Sequence, residues 1–563
     1  MRPLRFALPF LALCSSLLAA APTLAPDPAA PARSPFQVLR PADFAPHIQR
    51  LNAMTAETVV NAVPDAQAWD WLAANIPLFS CPDQSVEEIY YFRWWSMRKH
   101  LIRTPSGFAF TEFLQRNDPI SSAVGHHVRE GRWLRDPQFI DDYARYWLRG
   151  GPDGAIHPRL HNYSEWLAYA LYERYLVNGD TAYLTGSLDD LIRDFELWEK
   201  EKALPSGLFW QYDVRDAMEE SISGSRWLKH VRPPLNSYMY GNARAIAAIA
   251  RLAGRADVAR AYDAKATRLR ELVQTSLWDP EAKFFKVRLE VLPEHAAAAE
   301  QAASTHARAA KAAAAKGTPA PAAPPPPPGP YYTTLADVRE AIGFIPWYFN
   351  LPEPGRGFEA AWRQFTDDQG FHAPFGLTTA ERRHPRFRSH GTGTCEWDGA
   401  IWPYASAQTL TAALNVLRDY PDAPFTARDW ADAFFTYTRA HRDAEGKPYI
   451  GEYQDEKTGA WIKVKRPERS RYYHHSTYAD LLINGLVGLR PRADDTVEVA
   501  PTLPADTWDW FCLDGVGYHG RILTIVWDRT GQRFGRGAGL TILANNLVIA
   551  RSPTLQRVTG KLP

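Results

Sequence analysis

At 563 residues the chain exceeds the roughly 100–200 residues of an ordinary domain, and one large core with accessories is the economical reading. Its 64 Lys and Arg stand against 63 Asp and Glu, so no global field favours nucleic acid or an anionic membrane, and a neutral partner is expected. Aromatic residues make up 13% of the chain, with 20 Trp; rings stack on the C–H faces of sugars, although any single Trp is better read as core.

Taken in chain order, the first feature is a basic start at Arg2 and Arg5, an apolar run over residues 6–18, and small residues at Ala19, Ala20 and Ala21. This is the pattern of a secretory signal over residues 1–21, and it predicts export to the periplasm or beyond. Leu13 precedes Cys14 where a lipoprotein signal requires a small residue, so no stable membrane anchor is expected. Cys81, Cys395 and Cys512 then remain, too few and too scattered for a disulfide framework or a zinc site. Residues 22–35, rich in Ala and Pro, predict a disordered leader, and the short mixed elements up to residue 86 fit no pattern.

Helical periodicity dominates residues 87–490, as in HNYSEWLAYALYERYLVNGD, LNSYMYGNARAIAAIARLAG and WPYASAQTLTAALNVLRDY. Repeated helix–loop–helix units over such a length predict a mainly α toroid or solenoid. An Ala-rich and then Pro-rich stretch at 294–330 reads as an insertion between hairpins, with its proline run extended. Residues 491–563 switch to short alternating runs such as DTVEVAP and GRILTIVWDRTGQRFG, which predict a small C-terminal β-domain.

Three segments place carboxylates beside aromatics, Gly and Arg. WQYDVRDAMEESISGSRWLKHVRPPLNSY, residues 210–238, crowds Asp213, Asp216, Glu219 and Glu220, and like charges at close range raise one another's pKa. PYIGEYQDEKTGAWI, residues 448–462, sets Glu452 beside Tyr453. GTGTCEWDGAIWPYASAQTLTAALN, residues 391–415, is a Gly-rich loop in which Trp397, Asp398 and Trp402 are candidate sugar contacts. Hydrolysis of a glycosidic bond needs one carboxyl to protonate the leaving oxygen and a second to activate water or attack carbon. Arg232, Asn236, Tyr453, Arg93 and Trp94 are further candidate substrate contacts. The adjacent pairs His126–His127 and His474–His475 diverge, so they make no metal site, but one of the latter pair can line a cavity. GxSxG, P-loop and dinucleotide-binding signatures are absent from the sequence.

WDGAIWP resembles the WNGPVWP element of the helical-toroid α-glycosidases, the group of processing α-glucosidases, trehalases and mannosylglycerate hydrolase. GEYQDEKTG is similar to their ENYDPxTG element, and AMEESISGSRW resembles their GMDNSPRW element with Glu219 in place of Asp and a short insertion before Arg226. The resemblance implies an (α/α)6 barrel with a C-terminal β-domain and an inverting mechanism that requires neither metal nor other cofactor. It makes Glu452 the general base and Glu219 the general acid, with Asp216 as the rival acid, and adds Asp398 as a third carboxylate. The substrate implied is an α-linked oligosaccharide or glycoside. Two alternatives remain: a polysaccharide lyase or sugar epimerase on the same toroid, and a non-catalytic carbohydrate-binding relative. Sugar, linkage and oligomeric state are not legible.

Overall fold

A computed structural model describes residues 34–391, 395–462 and 469–563; the signal and nearly all of the leader lie outside the described residues. Two kinds of helix alternate along the chain. Gln138–Arg149, Ala256–Ser276 and Ala427–Arg439 bury one stripe, in the last case Trp430, Ala431, Phe434, Tyr437 and Thr438. Val124–Gly131 is buried along its whole length, and Pro233–Leu252 and Pro403–Asp419 nearly so. A helix with one apolar stripe covers a core from outside, whereas one buried on all sides lies within it.

The inner ring is accordingly Val124–Gly131, Leu167–Asn178, Pro233–Leu252, Ile345–Tyr348, Pro403–Asp419 and the π-helical turn Leu481–Leu486. Between them run the outer helices Gln84–Lys99, Gln138–Arg149, Leu188–Lys202, Ala256–Ser276, the 3-10 helix Phe358–Gln364, and Ala427–Arg439. This is the (α/α)6 toroid that the helical periodicity and the resemblance predict. Glu130 closes the inner ring: its carboxylate accepts the backbone N–H groups of Tyr478, Ala479 and Asp480 at 2.9–3.1 Å. Arg129 and Arg132, on the same helix and just after it, pair with Asp480 at 2.8 Å each. Donors that would otherwise be orphaned at a helix start are thus satisfied within the core.

The segment that fits no sequence pattern joins the two layers. Ala45–Met54 and Ala68–Asn75 cover Gln84–Lys99, which explains why that outer helix is buried nearly all round. Leu78–Ser80 then becomes the edge strand of a five-stranded antiparallel sheet whose other strands are Trp510–Tyr518, Arg521–Asp528, Gly539–Ala544 and Leu547–Ser552. Asp514 of that sheet accepts the backbone N–H groups of Gln37, Val38 and Leu39. The insertion starts as a helix, Pro293–Ala315, in which only Ser304 is buried. Among the described residues no helix is long and apolar enough to cross a membrane.

The segments leading into the inner helices gather at one end of the toroid's core. They hold Glu112, Tyr163, Glu219 and Glu452, which act on one another electrostatically, and the same segments carry Asp216 and Asp398.

Candidate active site

The first segment is a loop closed by the two-residue strands Trp210–Gln211 and His230–Val231, which pair antiparallel. Asp213 braces it: Oδ1 accepts the Val214 N–H at 2.6 Å and Oδ2 the Glu220 N–H at 3.3 Å. Gly224 must be glycine, because a Cβ there would stand 2.4 Å from Ser221 Oγ and 2.6 Å from Asp213 Oδ2. Ala217 and Glu220 adopt left-handed backbone angles, φ 59° and 69°, on either side of Met218 and Glu219. Such conformations cost of order 1–3 kcal/mol in non-glycine residues and concentrate at functional sites.

Asp216 and Glu219, three residues apart, meet different fates. Asp216 is fully buried, with Arg232 Nε donating to Oδ2 at 2.6 Å and Ser164 Oγ to Oδ1 at 2.6 Å, so both oxygens are engaged. Glu219 is only half-buried, and burial lifts its carboxyl to about pH 7; the charges of Asp213 and Glu452 push the same way, against its own N–H and Arg226. It is therefore a carboxyl that holds its proton near neutrality. Arg232 serves Asp216 and not a sugar, which corrects its assignment as a substrate contact. Replacing it by Met would strand a buried carboxylate, and we expect a loss of about 3–5 kcal/mol, read as a lower midpoint in urea unfolding.

Glu452 lies on residues 448–462, the third segment in chain order after 210–238 and 391–415; it is 6% exposed and accepts a short hydrogen bond from Ser470 Oγ. Burial raises its pKa, opposed by Ser470 and by Arg469. The second and third segments are zipped together: Ile401 and Gln454 exchange backbone hydrogen bonds at 3.0 and 2.8 Å. Trp397 stacks on Trp402 at 5.0 Å, and Trp402 on Tyr453 at 4.9 Å. As the middle ring, Trp402 has both faces covered, and Tyr453 is fully buried. Neither is a sugar platform; they stiffen the loop beside Glu452. Trp397 ends the stack, and its backbone N–H donates to the Glu219 carbonyl at 3.4 Å, tying the second segment to the first.

Asp398 is fully buried, with Oδ2 accepting the His390 N–H at 2.8 Å and Oδ1 unpartnered among the described residues. Three other expected contacts are core. Arg93 donates to Ser476 O at 2.6 Å and to Tyr437 OH at 3.3 Å, and Trp94 is fully buried in the same helix. Asn236 brackets Phe209, accepting its N–H and donating to its carbonyl, both at 2.8 Å. Asn236 spends both its amide groups on Phe209, Arg93 all but its Nε on the protein, and Trp94 its ring on the core.

The structure adds residues that no motif flags. Glu112, 5% exposed, accepts a short hydrogen bond from Tyr473 OH, which also meets His475 Nδ1 at 2.5 Å. Burial, together with the charges of Glu452 and Glu219, raises Glu112 to about pH 8, while its Oε2 is unpartnered among the described residues. Glu219 and Glu112 both raise the pKa of Tyr163, behind its burial. The histidine pairs split: His127 stacks on His474 at 4.5 Å, whereas His126 and His475 turn to Tyr404 at 4.5 and 4.3 Å. Around Tyr404, His126 Nε2, Trp166 Nε1 and Trp397 Nε1 also have no partner among the described residues. Among the described residues no cluster of His, Cys, Asp and Glu suits a metal ion.

A helical toroid with clustered, buried carboxyls is an arrangement that suits a glycoside hydrolase. The profile of the mannosylglycerate hydrolase MGH1-like glycoside hydrolase domain matches residues 116–476, and the chain belongs to that family. The C-terminal domain of glycosyl hydrolase family 65 matches residues 489–547, within the β-region. A solved structure named "Sialidase" is 44% identical with a TM-score of 0.83, covering 93% of this chain and 45% of that one. This chain thus spans less than half of that relative's length. A GH78 family rhamnosidase of Bacillus sp. GL1 is 13% identical with a TM-score of 0.54, over 83% of this chain and 41% of that one, a likeness of fold alone. The GH63 mannosylglycerate hydrolase from Thermus thermophilus, solved with glucose, is 13% identical with a TM-score of 0.47, over 70% of this chain and 98% of that one.

Proposed function

We propose that the protein cleaves a neutral, α-linked oligosaccharide or glycoside with inversion, acting on substrates outside the cytoplasm after loss of residues 1–21. The observation that carries this reading is that Asp216 is fully buried with both oxygens engaged by Arg232 and Ser164, whereas Glu219 is half-buried in the same loop and within the field of Glu452; burial raises both carboxyls, Glu219 to about 7. Glu219 gives its proton to the glycosidic oxygen as the bond from that oxygen to the anomeric carbon breaks. Glu452 takes a proton from a water whose oxygen bonds that carbon from the opposite face.

A neutral sugar is favoured because the chain's 64 Lys and Arg balance its 63 Asp and Glu, so no global field draws in a charged substrate. The activity named for the "Sialidase" relative belongs to a chain more than twice as long, and sialic acid is for this reason not our assignment. Export rests on the charge and apolar pattern of residues 1–21; finding the full-length precursor alone in the cytoplasm would overturn it. The hydrolytic reading is tested by following fresh product in proton NMR on a panel of neutral α-linked disaccharides. The first anomer formed from an α-glycoside is expected to be β, and an initial α product would refute inversion.

A further inference from the structure

Beside the acid loop lies a cavity of about 670 Å³ that the catalytic reading does not use. One wall is the loop that carries Glu219: its neighbour Glu220 and Asp213, which accepts the Glu220 N–H, both line the cavity, and Trp227 stands at its side. The opposite wall is the start of the insertion helix, where Pro293, Ala297 and Glu300 follow one another at helical spacing. The volume falls within the roughly 300–1,000 Å³ of small-molecule sites.

Trp227 is what distinguishes this cavity from a packing gap. It is 38% exposed and, among the described residues, the only one of the 20 Trp left exposed. A bare indole face is the surface on which a sugar ring stacks. The charges around it are already balanced: Arg226 pairs with Glu220 at 2.9 Å and Arg386 with Asp337 at 3.0 Å. That suits a neutral ligand offering hydroxyls and apolar faces, not an anion. Small residues on the opposite wall, Ala296 and Ala297, keep the space open.

Position sets the ligand. A general acid protonates the oxygen of the leaving group, so it stands on the leaving-group side of the scissile bond. A cavity that begins at Glu220, the neighbour of Glu219, continues the substrate on that side. We infer that the cleft between residues 220–228 and the first turns of the insertion helix holds the leaving-group portion of a neutral oligosaccharide, one ring stacked on Trp227. The low-complexity insertion is then a specificity element, its helical half walling a subsite. This placement rests on Glu219 being the acid.

The test uses Trp227→Ala and Ala297→Trp, the second filling the cleft from an exposed helix without touching the carboxyls. On the longest neutral α-linked oligosaccharide that the wild type cleaves, KM should rise about threefold to tenfold in both variants. On a glycosyl fluoride of the same sugar, which offers that cleft no ring, kcat and KM should stay at wild-type values. Equal changes on both substrates, or no change on either, would overturn the inference while leaving the hydrolase reading intact. If the wild type cleaves nothing on the panel, tryptophan fluorescence decides: titration with neutral α-linked tetrasaccharides should shift the emission of the wild type and not of Ala297→Trp. No shift in the wild type would overturn the cleft, and a shift without turnover would count against the catalytic reading alone.

Discussion

Replacing Glu452 by Gln is expected to lower kcat by about a hundredfold to ten-thousandfold while the far-UV spectrum and unfolding midpoint stay close to wild type. The amide keeps the size of the side chain and can still meet Ser470 Oγ, but it cannot take a proton from water. Packing around the site should survive, because the Trp397–Trp402–Tyr453 stack and the Ile401–Gln454 bridge are independent of that carboxylate. Steady-state turnover measured with circular dichroism on the same preparation separates lost chemistry from lost fold. The experiment also decides against the lyase or epimerase alternative. Tyr473 and His475 are paired at 2.5 Å beside Glu112 and would serve an enzyme that removes a carbon-bound proton. Such an enzyme would keep most of its turnover in the Glu452→Gln protein, so retention within a few-fold of wild type would refute the base assignment.

How much of this was legible in the sequence depended on whether a residue's role is local. The three motif segments are readable because glycines, prolines and paired aromatics mark loops directly, and their order along the chain is kept. Glu112 is not readable: FTEFLQ offers no frame, and its partners Tyr473 and His475 lie far along the chain. Its signal, seen in hindsight, is a carboxylate in an aromatic stretch, between Phe110 and Phe113, on the segment that leads to the inner helix Val124–Gly131. Arg93, Asn236 and Arg232 failed the other way. Their residue types suit sugar recognition, but type alone does not tell whether a donor ends on a hydroxyl or on the protein, and here it is Ser476, Phe209 and Asp216. Trp402 failed because a ring's usable face depends on both its neighbours. The segment around residues 36–80 stayed unassigned since a three-residue strand such as Leu78–Ser80 has no periodicity of its own and takes its identity from the distant strand Trp510–Tyr518. Asp216 and Glu219 could not be separated by spacing either; what separates them is Arg232, reached through the fold.

That separation makes Glu219→Gln the sharper experiment. The acid matters only where the leaving group needs a proton, so its removal should cost about a hundredfold to ten-thousandfold in kcat on an oligosaccharide and far less on a glycosyl fluoride, whose leaving group departs unaided. Asp216→Asn should behave differently, lowering stability by unbalancing Arg232 and slowing both substrates alike. The pH dependence carries the sign. Glu219 is active while protonated and burial raises it to about 7, so wild-type kcat/KM should fall as pH rises through about 7. Glu452 is active while ionised and is also raised by burial, so the acid limb should lie above the ordinary carboxylate range. The two limbs belong to the coupled pair, and the profile reports macroscopic values. In Glu219→Gln the alkaline limb near 7 should vanish from the residual oligosaccharide turnover while the acid limb persists. An alkaline limb that survives the substitution would transfer the proton donor to another group, and Glu112, raised to about 8, is the next carboxyl to replace.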